Sequence, residues 1–195
     1  MQKEKLNVRE SMEAVVLRNA AIQEAVMLGG VFKVVCRDKN GKLKWQDTIK
    51  NVVTTVGKNV ALDAYLAGAA YTVVGPFMGL ISSIDYTGVP VVGDTMTSHS
   101  TWKEAGVTNA PTYTTPRKTC VWSAASAGSK ALSAALAFVF TGGGTVKGCF
   151  LVYGTGALAT IDNTAGTLYS AGLFTGGDKV VVDTDTLNVS YSASL

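Results

Sequence analysis

The chain has 195 residues, of which 47% are apolar, and its mean hydropathy is +0.25. This length suits one domain with a sizeable core, and the apolar content excludes an intrinsically disordered protein. Charged residues make up only 16%, and the net charge of +3 is too weak to indicate nucleic-acid binding by itself. A surface with so few charges is poorly protected against association, so the composition indicates a subunit of an assembly.

Targeting and redox signals are few. Charged residues interrupt the apolar residues near the N-terminus, which does not fit a signal peptide, and no run approaches 18 uncharged apolar residues. We therefore expect neither export by a standard signal nor a membrane span.

The sequence has three cysteines, Cys36, Cys120 and Cys149, and no C-x-x-C pair among them. We expect buried thiols in a reducing compartment rather than a structural disulfide.

The first predicted element is an amphipathic helix over residues 8–27. Its apolar residues recur at steps of three and four and are Val8, Met12, Val15, Val16, Ala20, Ile22 and Val26. Gly29 and Gly30 end this helix, which predicts a helical arm over residues 1–30 and a body over residues 31–195. The apolar stripe must be buried, either on its own domain or on a neighbouring subunit as a short bundle or coiled coil.

The body begins with a predicted β-hairpin. Apolar and polar residues alternate over residues 32–37 and 42–46, and the sequence DKNG at residues 38–41 supplies the turn. Asn51 can cap a short helix over residues 51–66. Gly57 and the β-branched valines weaken that helix, and a strand over residues 51–56 is the main alternative.

The rest of the chain predicts a mainly β fold. Turn residues arrive every 8 to 12 positions or so, as in an antiparallel β-sandwich, which we expect to be jelly-roll-like. The further predicted strands lie at residues 77–84, 118–124, 132–140, 146–153, 167–174, 179–182 and 187–194. Residues 87–116, with three prolines, predict loops with at most one short edge strand.

Patterns that could carry chemistry are weak. His99 is the only histidine, so a Ser-His-acid triad is arithmetically possible, but a solvated histidine in a polar loop is the simpler interpretation. Residues 154–159 match G-x-G-x-x-A of a dinucleotide site, yet a loop follows where that site needs a helix. Residues 142–145 lack the Lys-Ser/Thr pair of a phosphate loop.

Metal and aromatic sites are equally weakly indicated. Asp162, Asp178, Asp183 and Asp185 could ligate Ca²⁺, but their spacing is that of turn residues. Residues 188–190 form a glycosylation sequon, which has no meaning without export. The tryptophans, Trp45, Trp102 and Trp122, are far apart and fit apolar faces. We therefore expect no catalytic residues, no cofactor and no metal, and a protein that is not an enzyme.

Three segments resemble a widespread group of tailed-bacteriophage virion proteins. They are GDTMTSHSTWKE at residues 93–104, AGTLYSAGLFTGG at residues 165–177 and DTLNVSYSASL at residues 185–195, supported by residues 51–53 and 78–81. The resemblance covers most of residues 30–195, and its motifs are structural rather than catalytic. No functional residues can be carried over from it.

The resemblance implies a structural subunit of the virion, made in the host bacterial cytoplasm. A capsid decoration (cement) protein that stabilises the head is the expected role, and a collar, head-fibre or tail-fibre subunit is the alternative. Such a protein would form a homo-oligomer, with a trimer favoured, and would contact other virion proteins such as the major capsid protein, but no membrane and no specific nucleic acid.

A third possibility belongs to another class. Jelly-roll sandwiches often bind sugars in loops, so a carbohydrate-binding module remains open, with Trp102 and Tyr113 of the 87–116 loop as its site.

Overall fold

A computed structural model describes residues 29–66 and 74–194, so the predicted helix over residues 8–27 lies outside the described residues. The elements are β1 Gly29–Arg37, β2 Leu43–Lys50, β3 Val52–Val53, α1 Thr55–Leu66, β4 Phe77–Ser82, β5 Glu104–Ala105, β6 Lys118–Thr119, β7 Ser129–Ala131, β8 Leu136–Val139, β9 Gly144–Tyr153, β10 Thr167–Leu173, β11 Lys179–Val181 and β12 Thr186–Ser194. Twelve strands and a single helix among the described residues confirm the mainly β class.

The strands form two antiparallel sheets. In sheet A the order is β2-β1-β12-β7, and β8 also pairs with β12. In sheet B the order is β3-β10-β9-β4-β5, with β11 beside β9 and β6 beside β4. The long strands β1 and β12 therefore lie at the centre of sheet A, and β9 lies at the centre of sheet B.

One buried cluster contains side chains of both sheets. Phe32, Val34 and Val189 from sheet A share it with Leu80 and Leu151 from sheet B. The buried residues of β1 and β12 alternate with exposed or half-buried ones, as expected for strands with one buried face. Burial of their apolar area is the main source of the fold's stability.

Sheet B is buried on its other face as well. Ile81, Phe150 and Val152 lie on that face and pack with Met96 and Trp102 of the long loop in a second cluster. Residues 148–152 of β9 are consequently all buried, which explains the continuous apolar run in the sequence. The loops over residues 87–116 and 154–166 thus cover the outer face of sheet B, and we call them the loop cover.

Backbone hydrogen bonds join loop residues next to sheet B to the outer strands of sheet A, β2 and β8. The Thr175 amide donates to the Thr48 carbonyl at 3.0 Å beside β2. On the opposite side, the Thr114 amide donates to the Val139 carbonyl at 2.9 Å. Such bonds satisfy strand edges that would otherwise invite pairing with another chain.

The hairpin prediction is confirmed. β1 and β2 pair from Val31 with Lys50 to Arg37 with Leu43. The Asp38 carboxylate accepts hydrogen bonds from the amides of Asn40 at 2.8 Å and Lys42 at 2.9 Å, which fixes the turn. The 87–116 loop also matches its prediction, since it holds one short edge strand, β5.

The helix predicted over residues 51–66 begins four residues later than expected. Val52 and Val53 pair with β10, so the start of the segment follows the strand alternative. The Asn51 cap was wrong, because the Thr54 hydroxyl caps α1 by accepting the Gly57 amide at 3.0 Å.

Two strand predictions were too long. Of residues 118–124, only Lys118 and Thr119 form a strand, and Trp122 makes an isolated bridge to Leu132. The segment 132–140 contributes β8 alone, while β7 lies before it. The strands predicted over residues 77–84, 146–153, 167–174, 179–182 and 187–194 correspond to β4, β9, β10, β11 and β12.

Candidate functional site

A small cavity lies between the loop cover and the outer face of sheet B. Its volume is about 190 Å³, and its walls include His99, Trp102 and Lys103 on one side and Asp162 and Thr164 on the other. Pockets that hold drug-sized ligands measure about 300–1,000 Å³, so this cavity has room for a few waters or a very small molecule.

A buried ion pair forms one wall of this cavity. The Arg117 Nε donates to Glu104 Oε1 at 2.8 Å, and its Nη2 donates to Oε2 at 2.6 Å. The two side chains are 0% and 5% exposed. β5 positions Glu104 at the edge of sheet B, and Arg117 directly precedes β6. A bidentate geometry of this kind fixes both partners in orientation as well as distance.

The pair also connects the loops that cover sheet B. Arg117 donates to the carbonyls of Leu158 at 3.0 Å and Asn163 at 2.8 Å. The Asp162 amide donates to Glu104 Oε2 at 2.8 Å. Three separate stretches of chain therefore converge on one guanidinium and one carboxylate. This arrangement holds the loop cover in place.

Burial governs the ionisation of Glu104. It raises the pKa of this carboxyl, although the hydrogen bonds from Arg117 and the Asp162 amide act in the opposite direction. The Arg117 guanidinium also lies 5.4 Å from the centre of the Phe150 ring. Because these contacts occupy both carboxylate oxygens, the arrangement suits a structural clamp better than a general base.

His99 is part of the cover. Its ring stacks on Trp102 with 3.9 Å between the ring centres, and its Nδ1 lies 3.1 Å from the Trp102 carbonyl oxygen. His99 is half-buried, so it packs on the loop and also keeps contact with solvent. Trp102 in turn donates from Nε1 to Asp94 at 3.0 Å.

The alternative of a sugar site at Trp102 and Tyr113 is contradicted by the burial of both rings. Trp102 is 0% exposed and Tyr113 is 2% exposed, so neither ring can stack on a sugar. Trp45 and Trp122 are half-buried and pack against the cluster between the sheets. All three tryptophans thus pack on apolar groups, as predicted from their spacing.

The glycine-rich segment after β9 forms a turn. Gly154 and Gly156 have φ values of 89° and 79°, and the Ala157 amide donates to the Gly154 carbonyl at 3.0 Å. Residues 154–166 contain no helix that could present its amides to a pyrophosphate. The turn interpretation is therefore confirmed.

The four aspartates lie in separate loops, except that Asp183 and Asp185 share the turn before β12. Asp185 is buried, accepts the Val182 amide at 2.9 Å and pairs with Lys44 at 2.5 Å. Asp178 pairs with Lys147 at 2.8 Å, and Asp162 accepts the Thr108 hydroxyl at 2.6 Å. Asp183 is exposed in the turn before β12. Within residues 29–66 and 74–194, no group of three or more His, Cys, Asp or Glu could hold a metal ion.

The three cysteines are free and buried, which confirms the prediction of unpaired thiols. Burial raises the pKa of Cys36 to about 11 and that of Cys120 to about 12, and it raises the pKa of Cys149 further. These thiols are poor nucleophiles at neutral pH because the thiolate is the reactive form.

Sequence reasoning missed Glu104 and Arg117. They are 13 residues apart in a segment without periodicity, and no local motif marks them as partners. The only available signal was a pair of opposite charges in a loop with few other charges.

Comparison with known proteins identifies no relative: no family model matches the chain, and no curated protein is significantly similar to it. In the part of the chain that the structure describes, no helix combines the length and apolar character needed to cross a membrane.

Proposed function

We propose that the chain is a non-enzymatic structural subunit of a tailed-phage particle, and specifically a capsid decoration protein that stabilises the head. The observation that carries this proposal is the place of the resembling segments in the fold. Residues 185–195 contain β12, which pairs with β1, β7 and β8, and residues 165–177 contain β10, which lies between β3 and β9. Residues 93–104 supply the buried Trp102. The resemblance therefore concerns the framework of the body.

The fold that accompanies this role is a jelly-roll-like β-sandwich with a helical arm. The arm predicted over residues 1–30 must end before Gly29, because Gly29 and Gly30 belong to β1. Two sheets around one apolar cluster support the sandwich. The arm follows from the apolar stripe in residues 8–27, which a neighbouring subunit would bury in a trimer. The chain joins the body at Gly29, where β1 pairs with the C-terminal end of β12.

The surface supports assembly as well. Val89, Val91 and Val92 are each at least 49% exposed, and they lie beside the start of α1, where the Thr55 amide donates to the Val92 carbonyl at 2.8 Å. Three exposed valines within four residues form an apolar patch of the kind that contacts other proteins.

Binding to preformed shells tests the proposal. Shells of the major capsid protein from the same genome would be mixed with the full chain and sedimented. A decoration protein co-sediments in a fixed ratio to the capsid subunits and raises the temperature at which the shells break. A collar or fibre subunit would stay in the supernatant as a trimer, and that result would replace the decoration role by the alternative.

Deletion of residues 1–28 separates the arm from the body. We expect the remaining chain to keep the β-type circular dichroism spectrum and to lose self-association. Loss of folding would show that the arm belongs to the core of its own domain, which would contradict its role in trimer contacts.

A further inference from the structure

The two sheets differ in what covers their outer faces. Loops with Met96 and Trp102 bury the outer face of sheet B. Among the described residues, no element packs on the outer face of sheet A: Lys33 and Arg37 of β1 are exposed there, and Ser190 of β12 is half-buried. A broad sheet face that no described element covers is a surface on which a partner can be sought.

Small or uncharged side chains occupy the centre of this face. The central strand β12 presents Thr186, Asn188, Ser190 and Ser192, all half-buried and all small or uncharged. Small side chains make a flat surface, on which another protein can approach closely.

The charges on this face have one sign. Lys33 and Arg37 of β1 and Lys50 of β2 are exposed on it, and the pairing of Lys33 with Thr48 and of Val31 with Lys50 places Lys33 and Lys50 diagonally across two strands. The strands of sheet A hold a single carboxylate, Asp47, which pairs in register with the buried Val34 and so belongs to the inner face. Of the ion pairs between described residues, none includes Lys33, Arg37 or Lys50.

We propose that the outer face of sheet A docks on a protein surface that carries carboxylates. Flat small residues supply close contact, and the three cations supply complementarity and orientation. The inference rests on the proposed function, because the partners of a particle subunit are protein surfaces.

Two other occupants fit this face less well. A second copy packed face to face about a two-fold axis would bring like charges together. Contacts of Lys and Arg with phosphates dominate the affinity for nucleic acids, and stacking on aromatic rings adds to it for single strands, whereas this face offers three cations and no aromatic ring.

The test measures binding of the full chain to immobilised poly-L-glutamate at about 50 mM salt, where charge attraction is weakly screened. The variant Lys33→Glu/Lys50→Glu reverses two charges on the face. The control Lys58→Glu/Lys130→Glu makes the same change in charge at exposed lysines of α1 and of β7, where Lys130 pairs with Ala193 on the inner side of the sheet. Circular dichroism and thermal unfolding check that all variants fold, and Lys33→Gln/Lys50→Gln tests loss of charge without reversal.

We expect binding to weaken about tenfold or more in the reversed variant and less than about twofold in the control. The glutamine variant should lie between them. Failure of the wild-type chain to bind, or equal losses in both reversed variants, would overturn the inference. Tighter binding to a 20-base-pair DNA duplex that depends on Lys33 and Lys50 would also overturn it, in favour of a nucleic acid. Retained poly-L-glutamate binding without shell binding would count against the proposed function alone.

Discussion

Glu104 and Arg117 form two parallel hydrogen bonds of 2.8 and 2.6 Å in the interior, where the loop cover meets sheet B. A buried ion pair need not stabilise a fold relative to apolar residues, but removal of one partner leaves a buried charge without compensation. The loop cover therefore keeps its place on sheet B only while both side chains are present. The ion pair accounts for a long loop that is ordered without extensive secondary structure of its own.

The first prediction concerns this pair. Glu104→Gln should reduce the free energy of unfolding by about 3–5 kcal/mol, because Arg117 stays buried without its carboxylate. Denaturant unfolding measures the change. Asp178→Asn is the control, since it removes the half-exposed partner of Lys147 and should cost about 1 kcal/mol or less. Equal losses in the two variants would contradict the role assigned to the buried pair.

The second prediction concerns pH and Asp47. Burial opposes ionisation of Asp47, but hydrogen bonds from Lys179 and from the amides of Thr48 and Gly176 outweigh it, and the pKa lies below its usual value of 3.8. A folded-state pKa below the unfolded one gives stability that is present above the unfolded pKa. That stability is lost as the pH falls through the pKa of Asp47 in the folded state, which is the lower of the two.

Asp47→Asn should therefore lower the Tm at pH 7, and its difference from wild type should shrink as the pH falls below about 4. Thermal unfolding across this range measures the difference. Asp183→Asn, at an exposed turn residue, should follow the wild-type curve. A difference that stays constant between pH 7 and pH 3 would count against stabilisation by the Asp47 charge.

The third prediction concerns the contact of β9 with β10. A Cβ added at Gly148 would overlap the carbonyl oxygen of Gly172, which is backbone and cannot rotate away. Gly148→Ala should lower the free energy of unfolding by about 1–3 kcal/mol or more. Gly93→Ala is the control, because an added Cβ there has no neighbour within 4 Å. Wild-type stability of the Gly148 variant would show that the strands do not approach so closely.

The fourth prediction concerns the thiols. With the pKa of Cys36 raised to about 11 and that of Cys120 to about 12 by burial, the folded protein should react very slowly with a disulfide reagent at pH 8. In denaturant, three thiols should react at once. A rapid reaction of one thiol in the folded protein would reveal an exposed cysteine, and mass spectrometry would identify it.

Much of the fold could be predicted because local patterns encode it. Alternation over β1 and β12 and the turn at Asp38 reflect direct rules of strand and turn chemistry. The start of α1 could not be predicted from Asn51, because Val52 and Val53 find a partner in β10. That pairing depends on residues more than a hundred positions away.

The site was not predictable for a similar reason. Glu104 and Arg117 meet only because the chain returns to the edge of sheet B at β5 and β6. Trp102 is buried and His99 is half-buried because the loop packs on Phe150. The spacing of residues within the loop does not indicate this contact. Long-range packing therefore decided the positions that local patterns left open.

The mass of the full chain in solution tests the central claim, that the protein is a self-assembling structural subunit. Light scattering on the purified chain should give three times the 20.3 kDa of one chain over a wide concentration range. A mass of 20.3 kDa at every concentration would contradict the claim of a homotrimer.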